Sequence, residues 1–345
     1  MRGKKLLQVL VRSLVAAVLL GTLLAGAASA DFRFVFLADS RGNSIPQPLN
    51  TTELQGLVDD IQLLKPAPNF IVFGGDLCYR GHPEWWDDWD NIFSPLAGVP
   101  LYVIIGNHEL YEDKNGKSVH RLANRLANQV AFQTHCQNNY QNPGDTYPPG
   151  HPDYKYLAFS FQFGEGEDKS LLIALDSFFM WKGKNGDKFL DGGITDTQLA
   201  WVEDLLKTAT AQGFKHKFIM THAPIYPVGS GAKSSMFALA KLMDKYQVDI
   251  FLAGHQHVYD RLFIDKKVNS VFKNTVLHII SGTAGAPFNA KKTSRLKRKT
   301  IYNKYEYVVV DVKGNALEFQ AVGGTKAGGY EVIDACTWIG RWGCR

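Results

Sequence analysis

Five apolar runs in this chain each end at a side chain able to bind a metal ion, and that recurrence limits the fold more than any other feature. They are Phe32-Arg-Phe-Val-Phe-Leu-Ala-Asp39, Asn69-Phe-Ile-Val-Phe-Gly-Gly-Asp76-Leu-Cys-Tyr79, Leu101-Tyr-Val-Ile-Ile-Gly-Asn107-His108-Glu109, Phe218-Ile-Met-Thr-His222 and Ile250-Phe-Leu-Ala-Gly-His255-Gln-His257. Short runs rich in β-branched and aromatic residues read as buried strands. A polar residue just beyond each run lies at a strand's carboxyl end, where open sheets hold their ligands.

The segments between these runs alternate as a layered α/β protein requires. Thr52 and Gln55 form a capping box, and Leu54, Leu57, Val58, Ile61 and Leu64 share one helical face that Pro66 terminates. The opening is thus a βαβ unit with Asp39 and Asp76 at one edge. His82 to Trp89 reads as a short helix whose tryptophans pack in the core. Residues 110 to 155 form a polar insertion of the kind that acts as a lid or specificity element. Tyr156 to Phe163 and Ser170 to Asp176 form an antiparallel hairpin. A second capped helix starts at Thr195, with Gln198 at the box position, and buries Leu199, Val202 and Leu206. A third spans Ser234 to Tyr246. Leu277 to Gly282 is a strand opening into a Gly-rich segment, and Lys291 to Lys299 reads as a solvated basic loop. Tyr305 to Val312 and Leu317 to Val322 close the domain as a hairpin, leaving residues 326 to 345 as a tail. No repeat or linker divides 31–325 into two domains.

Residues 1 to 30 have a basic start, an apolar stretch from Leu14 to Leu24 and the small-residue site Ala28-Ser29-Ala30, which predicts a cleavable export signal and a secreted or periplasmic product. The apolar run is shorter than the roughly 20 residues a spanning helix needs, so no stable membrane insertion is expected after cleavage. Of the chain's 38 basic residues four (Arg2, Lys4, Lys5, Arg12) lie in the signal, which leaves 34 against 33 acidic. That balance gives no reason to expect a nucleic acid partner. Among the four cysteines, Cys336 and Cys344 are near enough to close a small loop. Cys78 reads as buried and inert, and Cys136 is either free or paired with Cys78.

Asp39, Asp76, Tyr79, Asn107, His222, His255 and His257 together offer carboxylate, phenolate, amide and imidazole donors. Any one of these histidines alone would more often be a packing residue; their joint placement at strand ends reverses that expectation. Seven donors without a cysteine exceed one tetrahedral zinc site. They suit two ions about 3.5–4 Å apart sharing one carboxylate, an arrangement that activates water and neutralises a phosphoryl group.

Gly75-Asp76-x-x-Tyr79, Gly106-Asn107-His108-Glu109, Ile219-x-x-His222 and Gly254-His255-x-His257 resemble the motif set of calcineurin-like metallophosphoesterases, and the tyrosine resembles the purple acid phosphatase branch. The resemblance runs from Asp39 to about Val322. It implies a two-sheet mixed β-sandwich flanked by helices, a four-layer fold. It implies Asp39, Asp76, Tyr79 and His257 on a first ion, and Asp76, Asn107, His222 and His255 on a second, with Asp76 bridging. It further implies that His108 protonates the leaving oxygen or steadies the phosphate, with Glu109 orienting its ring. The chain departs from the pattern at Asp39-Ser-Arg-Gly42. Arg41 stands where the wider superfamily has a histidine, and is a candidate for binding substrate phosphate. A phenolate ligand points to Fe(III) at the first site, with Fe, Zn or Mn(II) at the second. The expected activity is phosphomonoester hydrolysis on a small substrate; a phosphodiesterase or nucleotidase and a non-catalytic metal-binding module are the rivals.

Overall fold

The computed structural model describes residues 32–114, 117–119, 122–165, 169–183 and 186–339. The expected export signal and Cys344 lie outside the described residues.

Two large mixed sheets face each other. The first contains β1 (Phe32–Leu37), β2 (Phe70–Phe73) and β3 (Leu101–Val103), parallel to one another, and three later antiparallel strands added at the β1 side. The second is built on β4 (Phe159–Phe163), β5 (Ser170–Leu175), β6 (His216–Thr221), β7 (Ile250–Ala253), β8 (Tyr259–Ile264), β9 (Val276–Ser281) and β10 (Arg298–Ile301), in the order β10-β8-β9-β7-β6-β5-β4. The added strands of the first sheet are β11 (Tyr305–Lys313), β12 (Ala316–Thr325) and β13 (Gly329–Ile339), giving the order β13-β12-β11-β1-β2-β3. β5, β6, β7 and β9 run parallel, so their carboxyl ends share one edge.

The period-2 alternation of strands explains why these runs are apolar throughout. In β1 and β2, Phe34, Phe36, Phe70 and Val72 face the other sheet, where they meet Phe218, Met220, Ile250 and Leu252. Phe34 stacks on Phe70 at 5.2 Å and meets Phe218 edge-on at 5.3 Å. Val35, Leu37, Ile71 and Phe73 point outward onto α1 (Thr51–Gln62) and α2 (Pro83–Phe93). On the far side, Ile173, Ile219 and Phe251 pack on α4 (Asp196–Ala211) and α5 (Phe237–Tyr246); α3 (Leu122–Asn139), from the insertion, packs instead on the first sheet's side with α2. The order helices, sheet, sheet, helices is the four-layer α/β sandwich expected.

Four local expectations are corrected. The first helix is capped by Asn50, whose Oδ1 accepts the Glu53 N–H, not by Thr52. The insertion is not simply a loop, because residues 122–139 form an 18-residue helix held by Phe132, Cys136 and Gln129, whose amide brackets the Met180 backbone. The presumed tail contributes the 11-residue edge strand β13. The basic segment ends in β10, where Arg298 is buried against Asp260 rather than solvated. Elsewhere Thr195 does cap its helix, but Gln198 turns away from it to bond both backbone groups of Asp176. Trp86 and Trp89 are core residues, and Cys78 and Cys136 are free and buried.

One buried carboxyl ties the sheets together and sets a pH response. Glu306 on β11 accepts hydrogen bonds from Ser281 and Thr283 on the opposite sheet, and burial pushes its carboxyl up to about 8. A folded value above the unfolded one means stability present at acidic pH and lost as pH rises toward 8. Between pH 5 and 8 the melting temperature is expected to fall, and Glu306→Gln to flatten that fall. An equally steep fall in the variant would assign it to another group.

Candidate metal centre

All five strand tips meet at the seam between the two sheets. Asp39 and Asp76 follow β1 and β2, and the turns bind each other through Asp39 N–H to Gly75 O (3.0 Å) and Ser40 N–H to Asp76 O (3.1 Å). His222 follows β6, His255 and His257 follow β7, and Gly254 N–H donates to His222 O at 3.0 Å. The His255 N–H donates to Asp39 Oδ2 at 2.8 Å, which stitches the sheets directly. Asp39, Asp76 and His255 have φ of 63°, 58° and 68°, half of the left-handed non-glycine positions among the described residues. Such backbone costs of order 1–3 kcal/mol per residue and gathers at functional sites. At Gly75 (φ 92°) a Cβ would meet the Gly106 backbone nitrogen at 2.6 Å, so only glycine lets the two turns close.

The donor atoms fit a cation. Asp39, Asp76 and His222 place one ligand-type atom each within 4.8 Å of one another, in fully buried surroundings. His222 Nε2 lies 3.3 Å from Asp76 Oδ1 and 4.0 Å from Asp39 Oδ1; His257 Nε2 lies 3.6 Å from that same Asp39 oxygen. Asp39 Oδ1 and His222 Nε2 are buried without a hydrogen-bond partner, an omission folded proteins rarely tolerate in a site with no further role. His222 Nδ1 is held by Gly74 O at 2.7 Å and His257 Nδ1 by Pro287 O at 2.6 Å, which leaves each Nε2 facing the carboxylates. Asn107 Oδ1 and His255 Nδ1 meet at 2.9 Å.

The electrostatics carry the same signature. Burial lifts Asp39 well above the usual carboxylate range, with His222 opposing. Burial also opposes ionisation of Asp76, but His222 and His108 overcome it and hold Asp76 well below that range. His222 is itself raised to about 9, because Asp76 and Asp39 outweigh its burial. Positive charge is thus demanded between the two carboxylates. Burial keeps His257 down at about 4 and His255 well below its ordinary value, so both imidazoles are neutral bases.

Glu109 does not orient His108. Its carboxylate accepts the backbone N–H groups of Asp76 (2.9 Å), Leu77 (2.8 Å) and Gly106 (2.7 Å), and so fastens two of the motif turns together. His108 is aimed instead by the Tyr79 carbonyl, 2.6 Å from Nδ1, with Nε2 3.9 Å from Asp76 Oδ2 and burial lowering the ring to about 4. Tyr79 is half-buried, its ring under the Arg80 guanidinium at 3.8 Å and 5.9 Å from the His108 ring. Arg41 reaches inward, with Nε 3.7 Å from Asp76 Oδ2 and Nη2 3.4 Å from His257 Nε2. Sequence reasoning passed over Asp176. It follows β5 at the same edge, is fully buried and raised to about 7, and has its Oδ2 unpartnered among the described residues. The signal was available: a sixth apolar run ending in a carboxylate.

Comparison with known proteins agrees with this geometry. The chain overlays purple acid phosphatase PPD1 from yellow lupin with a TM-score of 0.62 at 18% identity, covering 90% of this chain and 54% of that one. It therefore spans about half the length of the lupin protein. It also overlays GAP50, described as the anchor in the inner membrane complex of Plasmodium, with a TM-score of 0.58 at 16% identity, covering 90% and 89%. At such identities these likenesses show the fold alone. No curated protein sequence matches the chain. The family model for calcineurin-like phosphoesterases matches residues 32–259, which spans β1 to the start of β8 and includes every strand tip described above. The chain belongs to the calcineurin-like phosphoesterase family.

Proposed function

We propose that this protein is an exported, dinuclear-metal hydrolase of small phosphomonoesters. The observation that carries the reading is the pair of orphaned, buried ligand atoms, Asp39 Oδ1 and His222 Nε2, facing each other across 4.0 Å. Asp39, Asp76, Tyr79 and His257 would hold the first ion, and Asp76, Asn107, His222 and His255 the second. When bound, two such ions supply an activated water and offset the charge of the phosphoryl oxygens. His108 Nε2, beside Asp76 and turned from the Tyr79 carbonyl, is placed to give a proton to the leaving oxygen. A phosphate's negative charge next to it favours the protonated ring, which suits turnover at acidic pH. Outside the signal the charges nearly balance, 34 basic residues against 33 acidic, in keeping with a small substrate rather than a polyanion.

Tyr79 as a phenolate ligand makes Fe(III) the preferred first ion, with Fe, Zn or Mn(II) at the second. The purified, iron-loaded protein is then expected to be violet and to release phosphate from an aryl monoester faster than from the diester. Tyr79→Phe is expected to abolish the colour. A colourless wild type with full metal content and activity would remove the iron assignment; turnover of diesters alone would favour the phosphodiesterase reading.

A further inference from the structure

We propose that Arg41 is a resident cation of the first metal position, which must withdraw before an ion enters, so that the two ions load unequally. This rests on the dinuclear reading above. With His257 Nδ1 committed to Pro287 O, the only free lone pair of that ring is on Nε2, and Arg41 Nη2 lies 3.4 Å from it. Arg41 Nε lies 3.7 Å from Asp76 Oδ2 and is itself buried without a hydrogen-bond partner. A further donor, Nη1, is anchored on Gly42 O at 3.0 Å. The guanidinium thus competes with an ion for one nitrogen and one oxygen that the first position requires.

A guanidinium is always charged and offers no lone pair, so it cannot serve as a ligand beside the ion. Its side chain is only 16% exposed and lies against the 2%-exposed Asp76 side chain, which places it inside the site rather than at its rim. At the second position the donors engage only one another, Asn107 Oδ1 with His255 Nδ1 at 2.9 Å and His222 Nε2 with Asp76 Oδ1 at 3.3 Å, so an ion there has a proton to displace rather than an anchored guanidinium. Once displaced, the planar fork is free at the mouth of the site to grip two phosphate oxygens. Arg41 would then alternate between closing the first position and holding substrate.

Calorimetric titration of the metal-stripped full protein with Zn(II) tests this. Wild type is expected to bind one ion tightly and a second roughly tenfold or more weakly, and Arg41→Met to strengthen the weak step by about that factor. Arg41→Lys keeps the charge and should keep the wild-type asymmetry; Arg41→Gln provides a second neutral side chain should the methionine variant misfold. His257→Ala should delete the weak step and leave the tight one. Unchanged weak binding in both neutral variants would overturn the role of Arg41. A single binding step in wild type and in both neutral variants would instead overturn the dinuclear reading, and this inference with it.

Discussion

His222→Ala is expected to lower phosphate release by at least about 10³-fold, the largest catalytic loss of any single change outside Asp76, the proposed bridge. The side chain is fully buried, its Nδ1 is fixed on Gly74 O, and its Nε2 points at both carboxylates. No neighbour can take its place as a donor. In the proposed assignment the second ion would lose a ligand, and without an ion Asp39 and Asp76 lose the positive charge of a ring they raise to about 9. Imidazole added in solution should restore part of the rate, because the deletion leaves a ring-sized space facing the ions. Rates of metal-reconstituted wild type and variant decide the matter. A variant keeping more than about a tenth of wild-type turnover would show that His222 is no ligand.

Arg298→Ala is expected to destabilise the fold by about 3–5 kcal/mol, since it strands a carboxylate in the interior. Arg298 and Asp260 are 2% and 0% exposed at their side chains. The guanidinium bonds Asp260 through Nε at 2.8 Å and Nη2 at 2.6 Å, and Thr300 adds a hydroxyl at 2.6 Å. The same arginine donates to Tyr226 O and Pro227 O, bracing the loop that follows His222. Burial already raises Asp260 against the pull of Arg298. Without that partner the folded carboxyl would rise further, so the deficit should shrink as pH falls and the group is protonated. Denaturant unfolding at pH 5 and pH 8 measures both effects. A loss below about 1 kcal/mol at pH 8 would mean that water reaches Asp260 in the variant.

The site was legible because each proposed functional side chain sits one to six residues beyond a strand that announces itself by apolar content. Asp39, Asp76 and His222 were readable as a group from that grammar, and the helices from their apolar faces. Other features depend on contacts that no local pattern encodes. Glu109 serves three backbone N–H groups from two separate turns, which become neighbours only when β2 and β3 pair. The helix at 122–139 is rich in Asn and Gln, and its buried face sets the polar Arg125, Gln129 and His135 beside Phe132 and Cys136, so its apolar periodicity is faint. Strand β13 lies at an edge, joined across a register shift at Ala321/Val322, and its buried Asp334 is matched by Tyr259, Arg261 and Lys299 from the other sheet. A polar residue whose partners come from so far away gives no periodic sign of burial.

Three of the four imidazoles at the centre, on His108, His222 and His257, are steered by carbonyl oxygens of Tyr79, Gly74 and Pro287. A main-chain oxygen survives every point substitution at its own position. Genetic drift can therefore rewrite the surroundings of this centre widely without unaiming these three rings. Only a change that shifts the peptide itself, such as a bulky residue at Gly75, would do so.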